Sequence, residues 1–348
     1  MILTKTAVAL VPKDPIELFI FDWDTTLANI MDYTIAIVKK IFIDLELDVP
    51  MDHLIKEFMR QDLSKGIKLL KIPSVKTAKF IELYNFESTR PQLPNPYSGI
   101  SKALDSLAFH GKKLVLITTQ DRGMLYEHLR TLGFEKYFSK IYTVAKEADS
   151  HSTCIEQISK TFGVSKDGIV LIGGSLFDMQ LASVGGVRTI ACSYGLETAP
   201  TLLETKPAYL CHHPSHLCSL LQFKDLSFEV IREKAAQIDY YEFDQKKLSA
   251  EEREALLQDI YTVYCSVLKG RSKESFMKPL QDTNVYVLCA YNGFGHVRAY
   301  NIIRRFQITY PPESKLETDQ YSLFTSFAVC VPDNSGKEFV NKSVIHHV

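Results

Sequence analysis

The chain is short of several things, and each shortage narrows what it can be. Net charge is nearly absent: 40 Lys and Arg stand against 41 Asp and Glu. That balance argues against a protein that grips nucleic acid by general phosphate neutralisation. No uncharged run approaches the roughly 18 apolar residues needed to span a bilayer, so no membrane partner is expected. The N-terminal MILTKTAVALVPKD has one short apolar stretch between Lys5 and Lys13. It lacks the length of a secretory core and has no small-residue cleavage signal after it. The seven cysteines are an odd number scattered through the chain, unlike a disulfide framework, so reduced thiols in a cytoplasmic protein are expected. Internal repeats and low-complexity tracts are also absent.

What is present is the balance of a globular protein, with 46% hydrophobic and 23% charged residues. At 348 residues the chain is too long for one ordinary core, so two domains are expected. Residues 16–21, IELFIF, read as a buried parallel strand that ends at Asp22. From about Asn29 the spacing turns helical until the proline-rich PQLPNPYSG. Helical pieces such as ISKALDSLAFHG, DRGMLYEHLRTLGF and STCIEQISKTFGV then alternate with the strand-like KLVLITT, KIYTVA, GIVLIGG and VRTIACS. Such alternation predicts crossover connections and a parallel sheet covered on both faces.

The grammar changes after Phe223. Residues 249–268 open with Ser249 and Glu252 in capping-box spacing, and Leu256, Leu257, Ile260, Val263, Tyr264 and Val267 share one face. TNVYVLCAY, an Asn292-Gly293 turn, HVRAYNIIRRFQITY and YSLFTSFAVCV follow, and they predict an antiparallel meander. The expected division is residues 1–223 as an α/β domain with an insertion at about 29–92, then residues 224–348 as a separate α+β domain. The segment QIDYYEFDQKK has mixed charge and no clear period, and is expected to link them.

FDWDTTL at 21–27 carries the most chemistry. Asp22 and Asp24 lie just past a buried strand, at the sheet edge where open α/β folds bind ligands. An aspartate can attack phosphorus, and a second acid can protonate the leaving oxygen. In this segment the chain resembles the haloacid-dehalogenase superfamily, in particular its phosphoglycolate-phosphatase-like members with a small helical cap. The resemblance covers about residues 15–223. The family's Asp-x-Asp-x-Thr is matched by Asp22, Asp24 and Thr26, its strand ending in Ser or Thr by LVLIT and Thr118, and its Gly-Asp-x-x-x-Asp by Gly173 through Asp178.

The resemblance implies a Rossmann-like core with a cap at 29–92 and a magnesium-dependent phosphohydrolase acting on a small phosphorylated substrate. Asp22 would be the nucleophile, Asp24 the general acid and base, and Thr118 a phosphate ligand. Mg2+ would bridge Asp22, the backbone carbonyl of Asp24, and Asp178 on the acidic loop. Three departures from the pattern stand out. Gly174 replaces the first acid of the last motif, Thr25 stands where many relatives have glycine, and the expected lysine has no clean match. Lys146 is its nearest candidate, with Asp149 nearer the expected slot, while Lys160 reads as solvated surface. The alternative is a catalytically degenerate fold used as a binding module, with the C-terminal domain as the protein-binding surface.

Other clusters read blandly. Cys211, His212, His213, His216 and Cys218 crowd eight residues without a zinc-finger spacing. Arg298, Arg304 and Arg305 read as solvated charges on an exposed sheet face, and Arg60, Lys65 and Lys68 of the cap read equally as substrate contacts or as solvated surface. The substrate is not legible.

Overall fold

A computed structural model describes residues 15–88, 94–120, 122–143, 151–245, 247–267, 273–281, 285–307 and 322–330. The chain divides into two compact units, one through Ile231 and one from Arg232. The division falls eight residues beyond the expected 223.

In the first unit, β1 (Leu18–Asp22) is followed by four helices, α1 (Ile30–Asp44), α2 (Asp52–Arg60), α3 (Leu63–Leu69) and α4 (Ser74–Ser88). Then come α5 (Ile100–Phe109), β2 (Lys113–Thr118), α6 (Arg122–Leu132), β3 (Lys140–Thr143) and α7 (His151–Phe162). The unit continues with β4 (Ile169–Gly173), α8 (Leu176–Gly185), β5 (Arg188–Cys192), α9 (Ala199–Glu204), β6 (Tyr209–Cys211) and α10 (Pro214–Leu221). The six strands form one sheet in the order β3-β2-β1-β4-β5-β6, and every pairing is parallel. This is the parallel sheet that the alternating pattern predicted, and the Rossmann-like α/β core that the resemblance implied.

β1 is central because it is apolar on both faces. Leu18 and Ile20 pack with Ile155 and Ile158 of α7 and Leu181 of α8, while Phe19 and Phe21 stack on the opposite face. All four are fully buried, so shortening any one of them costs about 2–5 kcal/mol. The four helices after β1 have a core of their own, with Phe58, Phe80 and Tyr84 in mutual ring contact. Two linkers tie this cap to the sheet: Asn29 N–H donates to Asn95 O at 2.8 Å, and Tyr97 N–H to Leu27 O at 3.0 Å.

α11 (Phe228–Ala236) contains the division. The second unit has β7 (Ile238–Asp244), α12 (Ala250–Val267), α13 (Lys273–Met277), β8 (Val285–Asn292), β9 (Val297–Gln307) and β10 (Ser322–Cys330). Its sheet is antiparallel in the order β10-β9-β8-β7. Ser249 and Glu252 cap α12 reciprocally, at 2.8 and 3.2 Å. Leu256, Leu257, Ile260, Val263 and Tyr264 then pack on Val285, Val287 and Cys289 of β8.

Two expectations need correction here. QIDYYEFDQKK is no linker, because Ile238–Asp244 forms β7 and pairs along its length with β8. It reads as irregular because Tyr240 and Tyr241, on opposite faces, are 51% and 52% exposed, so neither face gives an apolar period. Arg298 is only 2% exposed and therefore is not a solvated charge. The side chains of Arg304 and Arg305 lie outside the described residues. No helix among the described residues is long and apolar enough to cross a membrane.

Candidate active site

The site is built from the carboxyl ends of three neighbouring strands. Asp22 ends β1 and is in register with Ile117 of β2, so Thr118 lies one residue beyond it on the adjacent strand. On the other side Phe21 pairs with Ile172, which brings Gly173 and the following loop level with Asp22. The loop after β1 is a tight turn in which Leu27 and Ala28 N–H both donate to Trp23 O. Thr25 sits in this turn at φ 61°, in the left-handed region that a β-branched residue seldom occupies. The backbone need for positive φ is the physical reason glycine suits this position.

The side chains are fixed by specific partners. Thr26 Oγ1 donates to Asp22 Oδ2 at 3.0 Å, and Gln120 Nε2 donates to Asp24 Oδ1 at 2.6 Å. Asp178 is 3% exposed and closes a capping box on α8, where Ser175 N–H and Oγ–H donate to its Oδ2 at 2.9 and 2.6 Å. Burial, then the charges of Asp178 and Asp24, hold the Asp22 carboxyl well above the usual carboxylate range. Burial likewise pushes Asp178 up to about 6, against the lowering effect of its bonds from Ser175. Cys192, the last residue of β5, is pushed up to about 12, chiefly by burial and in part by Asp178 and Asp22.

The structure thus brings Asp22, Asp24, Thr118 and Asp178 to one sheet edge. Lys146 and Asp149 lie outside the described residues, while Lys160 is exposed on α7. Gln120 was not anticipated, and its only signal was its place two residues after Thr118.

Position 174 is tightly enclosed. A Cβ there would lie 3.1 Å from Cys192 O and 3.3 Å from both Gly195 Cα and Thr25 O. At Gly195 a Cβ would come within 2.5 Å of Thr25 O. Glu197 N–H donates to Gly174 O at 3.0 Å, and Tyr194 O–H to Thr26 O at 3.0 Å. Three backbone segments therefore meet where the family's first acid would project. The obstacle to a side chain at 174 is this contact, since its φ is not in the left-handed region.

No group of three or more His, Cys, Asp or Glu side chains among the described residues is arranged to hold a metal ion. That applies to the Cys211–Cys218 cluster, where His212 Nδ1 instead meets Ser193 Oγ at 3.1 Å. It does not exclude magnesium at the strand edge, because that ion typically needs only one or two carboxylates together with waters and a substrate phosphate. Asp22, the Asp24 carbonyl and Asp178 are oxygen donors of the right kind, and the clustered charge that raises Asp22 suits a cation there. The donor set fits the ion, with one carboxylate fewer than the family pattern.

Among the cap residues, Arg60 Nε donates to Leu196 O at 2.6 Å, and its Nη1 pairs with Glu57 at 2.9 Å. Lys65 pairs with Asp62 on the surface.

A doubly wound parallel sheet with paired aspartates after its central strand and a helical cap inserted behind them defines a hydrolase class. The sequence profile described as haloacid dehalogenase-like hydrolase matches residues 19–192, half of the chain, and the chain belongs to that family. A 5'-nucleotidase of Pseudomonas aeruginosa is 25% identical over 130 residues, which are 36% of this chain and 58% of that protein. A phosphoglycolate phosphatase of Nitrosococcus oceani is 23% identical over 132 residues, 37% of this chain and 56% of that one. The chain thus spans less than two thirds of the length of these curated relatives. A solved Clostridium difficile structure classed with the phosphatases is 20% identical, with a TM-score of 0.51 over 60% of this chain and all of that one. That likeness speaks to the fold.

Proposed function

We propose that the chain is a phosphoric monoester hydrolase acting on a small phosphorylated metabolite. The observation that carries this reading is the Asp22–Asp24 pair at the end of the central strand, each carboxyl fixed by its own hydrogen-bond donor. Asp22 attacks phosphorus, and as the Asp22–P bond forms the bond to the leaving oxygen breaks. Asp24 supplies that oxygen with a proton, then takes one from the water that hydrolyses the aspartyl phosphate. Thr118 is positioned to hydrogen-bond the transferred group. Asp22, the Asp24 carbonyl and Asp178 would hold Mg2+, which when bound offsets the negative charge of the phosphoryl group. The relatives' names support the substrate class.

The test is turnover of an aryl phosphate with and without magnesium. Activity is expected only with the ion, and at a high concentration because position 174 supplies no ligand. Asp22→Asn should lower kcat by at least about a thousandfold while leaving the fold intact. Magnesium should also raise the melting temperature of the wild type more than that of Asp22→Asn. No turnover on a broad panel of esters at millimolar magnesium would leave the binding role instead.

A further inference from the structure

We infer that Gln120 is the positioning residue for the acid–base carboxyl of Asp24, and that it dictates which Asp24 oxygen exchanges the proton. The inference rests on the role proposed above for Asp24. The contact joins two loops 96 residues apart in sequence, with Gln120 Nε2 2.6 Å from Asp24 Oδ1. The glutamine is itself held, because its backbone N–H donates to Thr118 Oγ1 at 3.0 Å and fixes the turn after β2. One side chain therefore ties the carboxyl to the strand that carries Thr118.

The chemistry follows from the geometry. A protonated carboxyl has one O–H, and an oxygen that accepts from an amide N–H is not the one that carries it. With Oδ1 engaged by Gln120, the proton sits on Oδ2. In the first step the Asp22–P bond forms and the bond from phosphorus to the leaving oxygen breaks. The electron pair stays on that oxygen, which takes the Oδ2 proton to become a hydroxyl. The other end of the amide is a second, independent observation: Gln120 Oε1 is buried and has no hydrogen-bond partner among the described residues. A buried acceptor left without a donor is costly. A substrate hydroxyl or the hydrolytic water arriving beside Asp24 supplies one.

A residue that positions a general acid is needed most where the leaving group is poor. An alkyl phosphate requires a proton on its leaving oxygen, whereas p-nitrophenolate departs without one. We therefore expect Gln120→Leu in the full chain to lower kcat/KM for an alkyl phosphate roughly thirtyfold, and for p-nitrophenyl phosphate less than about threefold. Gln120→Met keeps the size and removes the N–H donor, so it should show the same split. It also decides the matter should the leucine variant fail to fold by circular dichroism. Equal losses on both esters, or no loss on either, would overturn the positioning role while leaving the wild-type reading intact. A wild type that turns over neither ester removes the reading beneath and this inference with it.

Discussion

The loops after β1 and β4 lie at the same edge of the same sheet, yet they are built to opposite ends. The β1 loop keeps two carboxylates and hands each to a separate donor, Thr26 for Asp22 and Gln120 for Asp24. The β4 loop keeps one acid, Asp178, and folds it back on Ser175 to close its own helix. Its glycines serve contact: a Cβ at Gly173 would lie 2.4 Å from Asp178 Cγ, and one at Gly174 would touch backbone of both the Thr25 turn and the Cys192–Gly195 loop. The difference teaches that losing an acid at 174 leaves no gap to refill. Backbone packing has taken the space, and reinstating the carboxylate means moving it.

The most forceful way to break this contrast is Gly195→Ala. Its Cβ would fall 2.5 Å from Thr25 O, and backbone on both sides leaves nothing flexible to yield. We expect a loss of about 3 kcal/mol in denaturant unfolding. A loss below about 1 kcal/mol would show that the segments are not locked together.

The second effect concerns pH. Asp22 and Asp178 are acids whose folded pKa values are raised, Asp178 to about 6. Between the unfolded value near 4 and those folded values, the native state holds more protons than the unfolded one. The stability this pair contributes is thus fully present below about pH 4 and declines as pH rises through 6, by about 3 kcal/mol for Asp178. Chemical unfolding across pH 4–7 in the presence of a chelator should show the decline, and Asp22→Asn should make it shallower. A flat profile would mean the acids are better solvated than their burial implies.

The smallest effect sharpens the comparison. Gly174→Ala meets its neighbours at 3.1–3.3 Å, a mild overlap, so a cost of about 1 kcal/mol is expected. A ranking of Gly174→Ala above Gly195→Ala would misplace the tight point of the loop.

Much of the core was legible because its signals are local. An apolar run ending in Asp-x-Asp is short enough to read directly, and β1, Thr118 and Asp178 fall where the alternation of strands and helices places them. The illegible parts depend on distant partners. Nothing near Gln120 announces a carboxylate 96 residues earlier, and nothing near Gly174 announces Thr25 and Gly195. β7 escaped notice because an edge strand with both faces partly wet carries no period. Arg298 misled because a lone charge in a strand reads as solvated until its burial is seen.

β7 has one more consequence. Among the described residues it is the last strand of its sheet, and its unpaired backbone is a template on which another copy could add a strand. Tyr240 and Tyr241 would make that edge adhesive, but Asp239 is exposed beside them with its negative charge, while Asp244 is half-buried and paired with Lys247. A charge on an exposed edge strand disfavours strand addition by another chain, and Asp239 is placed to have that effect. Solubility at high concentration is therefore a property this segment helps to set, quite apart from any chemistry at the other sheet.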